Sequence, residues 1–365
     1  MYVYIPNDIT IPIPEKELFI LTRPFKIGES WGNSEEVLRK WNLQETDIRF
    51  TGNVAEASFI FLPYTINLYQ ATGNFHLLKK YNQLCDQSGI QAYGFISGDW
   101  CASYPEFERI TYLRSGGFRS QLSLRNQGFP VVITDMFKEY IKSNSGYRVK
   151  EKLPTVGFCG HAALSPVKRA KEATKFVLEN FKKLVKNPFR NDWEPVFSSA
   201  YQRASLLKLL ERDSAINTNF IYRNKYRAGA NTQLSRAQTS TEYFQNIIDS
   251  DYVLCLRGGG NFSVRFYHTL MMGRIPVLVN TDCLLPFQDT INWKEHVVWV
   301  EWNQRKEIDR IVDSFHHKLS PDEFRNMQQR NRKLWLETLS VKGIFNLLST
   351  GLLTKKLNTN DAEIS

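Results

Sequence analysis

The segment Ser250–Trp293, SDYVLCLRGGGNFSVRFYHTLMMGRIPVLVNTDCLLPFQDTINW, holds the residue types best suited to chemistry. An apolar run ends in Arg257, three glycines follow, and Asn261 or Ser263 stands where a helix cap belongs. Gly258 and Gly259 let a ligand approach the main chain, and the N–H groups opening the next helix favour an anion. Arg257 before the loop and Arg265 in the first helical turn add guanidinium charge of the kind that pairs with phosphate. His268 lies three residues beyond Arg265 and so shares its helix face. A triple glycine alone also suits an ordinary turn. The order strand, Arg, three glycines, capped helix, Arg is what points to an anion site. The loop has neither the Lys-Ser/Thr of a P-loop nor GxGxxG spacing.

The elements that would position this loop follow from the hydropathy pattern. Short apolar runs alternate with longer helical patterns, the signature of βαβ units and parallel sheets. Strands are expected at the N-terminus and at Leu18–Leu21, Ser58–Leu62, Gln91–Ile96 and Val131–Thr134, with helices over Ser34–Trp41 and Asn74–Gln87. Around Ser143–Pro154 the chain turns polar and basic, which places a domain boundary near residue 150. A second alternation then begins. It has strands at Thr155–Cys159, Asn217–Tyr222, Tyr252–Leu256, Ile275–Val279 and Val297–Val300, and helices at Ser165–Val185, Thr241–Ile248, Ser263–Met272, Pro321–Thr338 and Val341–Lys356. The fold class is therefore α/β, with a domain over 1–150 and a second over 151–339 facing each other across a cleft. The helix near 340–360 is expected to pack back on the first.

Composition narrows the partners. The 365 residues are 42% hydrophobic and 23% charged, which excludes a disordered polyelectrolyte. The net charge of +10 suits a nucleic acid, an anionic membrane surface or an anionic small substrate. No nucleic-acid reader motif is present and the basic residues are not striped, so nucleic acid ranks last. The helix from Lys168 to Lys186 concentrates lysines; a solvated face is the ordinary reading, and contact with an anionic membrane the sharper one. The start, MYVYIPNDITIPIPEKEL, has no basic stretch followed by an apolar run, and the five separated cysteines form no CxxC pair. The expectation is a reducing, cytoplasmic setting, with peripheral contact at the inner face of the membrane. No clustered His/Asp ligand set stands out, so neither a metal nor another cofactor is expected.

The run RGGGNFSVRFYHTLMMGRIPVLVNTDCLLPF resembles the diagnostic segment of exostosin-like glycosyltransferases, glycosyltransferase family 47. The matching positions are Arg257, Gly258, Ser263, Arg265, Phe266, Gly273, Ile275, Pro276, Val277, Leu285, Pro286 and Phe287, with Trp293 beyond. The resemblance implies a GT-B-type enzyme of two Rossmann-like domains. It would invert the anomeric centre as it moves a sugar from a nucleotide sugar, UDP-linked by preference, to a saccharide or glycolipid acceptor of the cell surface. The second domain would hold the nucleotide, and the first would hold the acceptor and a general base. One position departs: where the family usually carries a glutamate thought to bind the donor ribose, this chain has His268. That exchange motivates a second reading, a catalytically silent saccharide-binding partner subunit.

An inverting transfer needs a carboxylate at the end of a first-domain strand. Asp99 follows Ile96-Ser-Gly and loosely matches a His-Asp dipeptide of eukaryotic relatives. Asp135, after Val131–Thr134, is the runner-up, and helix capping is the commoner use of either. His161 and Arg223 end strands on the crevice side and are candidates for donor contacts, as is Asp282, whose alternative is a local turn. Trp100 is the candidate for stacking on an acceptor sugar, with core packing as its plainer role.

Overall fold

The alternating runs become two wholly parallel sheets in the computed structural model, which describes residues 1–9, 14–28, 30–142, 146–186, 188, 192–224 and 226–350. The first contains β1 (Tyr2–Tyr4), β2 (Arg49–Thr51), β3 (Phe59–Thr65), β4 (Ala92–Ile96), β5 (Ile110–Arg114) and β6 (Asn126–Gly128). Its spatial order is β2-β1-β3-β4-β5-β6, every pair parallel. The second contains β7 (Thr155–His161), β8 (Asn217–Arg223), β9 (Tyr252–Cys255), β10 (Ile275–Asn280) and β11 (Val298–Glu301), in the order β8-β7-β9-β10-β11. Central strands are buried on both faces: every residue of β3 and of β9 is buried, which is why they read as unbroken apolar runs. Both sheets share the order 2-1-3-4-5, so each is Rossmann-like. The order reverses between the first and third strands, the place where such sheets bind ligands outside the strand C-termini.

Helices cover the faces. In the first half these are α1 (Glu35–Trp41), α2 (Ile66–Ala71), α3 (His76–Ser88) and the single turn α4 (Phe137–Tyr140). In the second they are α5 (Pro166–Lys186), α6 (Ser199–Arg212), α7 (Gln233–Ile248), α8 (Val264–Met271), α9 (Ile308–Lys318), α10 (Pro321–Leu334) and α11 (Val341–Ser349). In α3, Leu78, Tyr81 and Cys85 fall at helical spacing and form the buried face. Ser320 and Glu323 close a capping box over Pro321 and start α10 sharply.

Two expected strands are corrected. Leu18–Leu21 is a turn: Leu18 bridges Tyr64, the Phe19 N–H donates to the Pro63 carbonyl, and Thr22 folds back onto the Phe19 carbonyl. Its apolar residues signalled burial, and Leu18, Phe19 and Leu21 are indeed core. Val131–Thr134 joins no sheet, because Pro130 ends the possibility of a continuous ladder just after β6. The edge strand is instead the polar Asn126–Gly128. β5 and α6 were not foreseen. Of the expected terminal helix, residues 351–356 lie outside the described residues, as do 143–145 of the expected boundary.

The last helix lies on the first domain. Phe345 of α11 packs its ring near those of Phe25 and Phe61, and Lys342 pairs with Asp47. Truncating this 2%-exposed ring removes core contacts and leaves a cavity. Phe345→Ala should lower unfolding stability by about 3–5 kcal/mol in urea titration. A loss near zero would mean that α11 is not part of the first domain's core.

Candidate active site

The C-terminal ends of the two sheets face each other, and the loops leaving those ends meet. After β9, Gly258–Asn261 lies against the loop after β4: a Cβ on Gly259 would come within 3.2 Å of the Asp99 carboxylate, and one on Gly260 within 2.6 Å of the Asp99 carbonyl. No larger residue fits Gly260 without moving main chain, so the glycines serve close approach between domains. Asn261 is 2% exposed and is a latch. Its amide donates to the carbonyls of Gly117 (3.0 Å), Thr281 (3.0 Å) and Asp282 (2.9 Å), and its Oδ1 accepts from Thr281. Asp282 holds the left-handed conformation, φ 62°, which aspartate tolerates better than most residues. Its carboxylate accepts from the Ser120 N–H and hydroxyl, so it ties β10 to the loop after β5.

Arg257 stands inside this seam. Its guanidinium is buried between the rings of Phe118 and Phe197, donates to the Gly259 carbonyl at 3.1 Å and faces Glu194 at 3.7 Å. Glu194 also accepts from the Cys101 N–H across the domain boundary, and burial raises its pKa. Arg257 therefore supports the loop from beneath. Its Nη2 is engaged by the Gly259 carbonyl and Glu194, while its Nε is buried without a hydrogen-bond partner among the described residues.

A second arginine pair lies at the switch point between β7 and β9. Arg265, in the first turn of α8, donates to the Cys159 carbonyl at 2.9 Å and rests over Phe158. Gly160 makes that possible, since a Cβ there would fall 2.6 Å from the Arg265 guanidinium. Arg203, on α6, donates to the carbonyls of Arg257 (3.0 Å) and Leu256 (3.4 Å). Burial, aggravated by the like charge of Arg265, pushes its pKa down to about 9. The Nε atoms of Arg203, Arg265 and Arg223 and the Nε2 of His161 are all buried without a hydrogen-bond partner among the described residues. Buried donors left unpaired are costly, and a cluster of them at a sheet's switch point is a site awaiting an acceptor. The charge and donor geometry suit a diphosphate.

The flanking histidines both have lowered pKa values. His161, ending β7, has its pKa lowered by burial and by Lys168 and Arg203. His268 bonds Tyr243 through Nδ1 at 3.1 Å, and its ring meets those of Tyr243 and Phe244 edge-on. Burial, then Arg265, pushes its pKa down to about 4. Arg223 ends β8 but pairs with Glu242 at 2.7 Å and donates to the Thr239 carbonyl, which turns it toward α7. Ser263 occupies the N-cap of α8 without a side-chain cap bond, which leaves its hydroxyl and the first N–H groups uncapped by it.

Two first-domain candidates are placed elsewhere than expected. Asp135 makes a bidentate ion pair with Arg332 of α10 (2.6 and 3.0 Å), beside Met271 at the far end of α8. That is a helix length, about 12 Å, from the glycine loop, so Asp135 is a tie between domains and is withdrawn as a base. Trp100 meets Phe176 edge-on with Lys175 over its face, and so packs under α5. Asp99 is exposed at the mouth of the crevice, and its carboxylate has no hydrogen bond or ion pair among the described residues. A second cleft, about 580 Å³ and lined by Arg119, Asp282, Asn292 and Trp299, opens at the end of β10. Among the described residues, no three His, Cys, Asp or Glu side chains are grouped to hold a metal ion.

Arg203, Glu194 and Tyr243 were missed from sequence. Arg203 is one of several basic residues in an ordinary amphipathic stretch, and only the packing of α6 against β9 reveals its burial.

The unfolded chain protonates His268 near pH 6.5, whereas the folded chain resists until about 4. The unfolded state therefore takes up the proton first, and stability falls as pH drops through that window. His268→Phe, which keeps the ring contacts, should flatten the melting temperature's dependence on pH between 6.5 and 4. A slope equal to the wild type's would contradict the burial of a neutral imidazole.

Comparison with known proteins bears on the same segment. Residues 196–315, about a third of the chain, match the Exostosin GT47 domain. The probable beta-1,4-xylosyltransferase IRX10 of Arabidopsis thaliana is 34% identical over 74 residues, covering 20% of this chain and 18% of that protein. The probable glucuronosyltransferase GUT1 of Oryza sativa subsp. japonica is 32% identical over 72 residues, 20% of this chain and 17% of its own. The matched segment thus spans under a fifth of each relative's length. A solved alpha1,3-fucosyltransferase aligns over 96% of this chain and 89% of its own at 13% identity, with a TM-score of 0.34. Arg203, the glycine loop and Arg265 all fall within the residues that match the Exostosin GT47 domain.

Proposed function

We propose that the protein is an inverting glycosyltransferase that moves a sugar from a nucleotide-sugar donor, UDP-linked by preference, to a saccharide acceptor. The observation that carries the reading is the pair Arg203 and Arg265, half-buried at the switch point with their Nε atoms buried and unpaired among the described residues, beside a glycine loop that touches Asp99. The donor diphosphate lies against the two guanidiniums and the opening turn of α8. Asp99 takes the proton of an acceptor hydroxyl, the oxygen attacks the anomeric carbon, and the diphosphate leaves with the electron pair of the broken bond. Attack and departure on opposite faces invert the centre. The arginines supply charge where negative charge develops, which lets the transfer proceed without a metal. The relatives' names, xylosyltransferase and glucuronosyltransferase, favour a pentose or a uronic acid as the sugar moved, and a cell-surface polysaccharide or glycolipid is the acceptor of this reading.

His268 favours a second reading. Where the family has a carboxylate, a neutral imidazole offers one hydrogen bond to a ribose, which suits a saccharide-binding subunit without turnover.

Thermal-shift titration with UDP-, GDP-, TDP- and CMP-linked sugars should give stabilisation by one nucleotide class. Arg203→Ala and Arg265→Ala should each weaken that binding by about ten- to hundredfold, the worth of a charge-assisted hydrogen bond. Asp99→Asn should keep donor binding and lose about 10²–10⁴-fold in turnover, as removal of a general base does. Donor binding with no turnover by the unaltered protein would favour the silent subunit. No stabilisation by any donor would remove both readings of the arginine site.

A further inference from the structure

Helix α5 presents two faces of opposite character. Phe176, Asn180 and Lys183 face inward: Phe176 is core, Asn180 exchanges hydrogen bonds with Glu194, and Lys183 donates to the Cys101 carbonyl. The outward face carries Val177, Leu178, Phe181, Leu184 and Val185, spaced i, i+1, i+4, i+7, i+8, which is one continuous stripe. Phe181 is 61% exposed and Val185 69%. The neighbouring strand of chain, held to the helix through Glu194, adds exposed Trp193 and Val196. A soluble helix ordinarily shows lysine and glutamate on such a face.

Charge says what covers it. Over Pro166–Lys186 the basic residues are Lys168, Arg169, Lys171, Lys175, Lys182, Lys183 and Lys186, against only Glu172 and Glu179. At 100° per residue, Lys171, Lys175 and Lys182 lie along one border of the apolar stripe. All three are exposed, although Lys182 also reaches Glu179 and Lys175 lies over Trp100. A second copy of the chain would bring like lysine borders together and is disfavoured. An apolar stripe bordered by lysines is the pattern of a helix lying in the plane of an anionic bilayer, its side chains among the acyl chains and its ammonium groups at the headgroups. Among the described residues no helix is long and apolar enough to cross a membrane.

We propose that the outward face of α5 docks the protein peripherally on an anionic lipid bilayer. The acceptor end of the molecule is then brought to the membrane, because α5 lies against Trp100 and Cys101, one and two residues from Asp99. This docking stands independently of the transfer reaction proposed above.

Co-sedimentation of the full chain with phosphatidylcholine vesicles, pure or mixed with phosphatidylglycerol, tests it. Binding should require the anionic lipid and weaken with salt. Phe181→Asp with Val185→Asp should abolish it, and since both side chains are exposed the melting temperature should hold. Replacing Lys171, Lys175 and Lys182 together by Gln should weaken partitioning by about a hundredfold, at about fivefold per lysine. This second variant leaves the apolar stripe intact, so it remains informative if the first misfolds. Absent or charge-indifferent binding, or binding unchanged in both variants, would overturn the proposal. So would a concentration-dependent dimer that Phe181→Asp dissolves, which would give the face to a second copy.

Discussion

Two cations are held together at the switch point of the second sheet, and much else in the molecule serves to hold them there. Arg203 and Arg265 approach from different helices and brace the adjacent ends of β9 and β7 through the carbonyls of Leu256, Arg257 and Cys159. Their mutual repulsion and burial show in the depressed pKa of Arg203. Carbonyl oxygens satisfy some of their donors and leave others unpaired. A stable protein retains such an arrangement when something outside it completes the hydrogen bonding, and an anion with several oxygens does so most fully. Gly160, which leaves room for the guanidinium of Arg265, and Phe158, which carries it, are part of the same device.

The second constraint is the seam between the domains. The glycine loop has two neighbours: it borders the arginine site on one side and presses on the Asp99 main chain on the other. Asn261 and Asp282 keep it there through bonds that cross from one sheet's loops to the other's, and Arg257 through its place over the Phe118 ring. The Leu285-Pro286-Phe287 stretch extends the seam, since Pro286 bridges Gly128 at the edge of the first sheet. A Cβ on Gly128 would lie 2.2 Å from the Leu285 carbonyl, so that edge too depends on a glycine. Asp99 and the arginine pair are thus held in register by a few polar contacts.

Much of this was legible in the sequence because the relevant signals are local. Strand, Arg257, three glycines and the start of α8 can be read from one segment, and most strands of the second sheet from their own apolar runs, which follow from burial on both faces; the side-chain cap expected on α8 is not made. What escaped reading depends on contacts between distant residues. Nothing around Arg203 distinguishes it from the exposed Lys208 five residues on; only the packing of α6 does so. Asp135 and Asp99 look alike as aspartates following apolar runs, and Arg332, nearly two hundred residues away, decides between them. Arg257 reads as a phosphate ligand until Glu194 is seen beside it. Leu18–Leu21 and Val131–Thr134 show the other limit: apolar composition reports burial, and a buried turn satisfies it as well as a strand.

The central claim is that the anion site is the Arg203–Arg265 pair and not the cleft beside Asp282 and Trp299. A crystal structure of the protein soaked with UDP decides it. The account predicts diphosphate oxygens within hydrogen-bond distance of the Arg203 and Arg265 guanidiniums, at the end of β7 and β9. A diphosphate bound instead at the end of β10, in the cleft lined by Arg119 and Trp299, would contradict it.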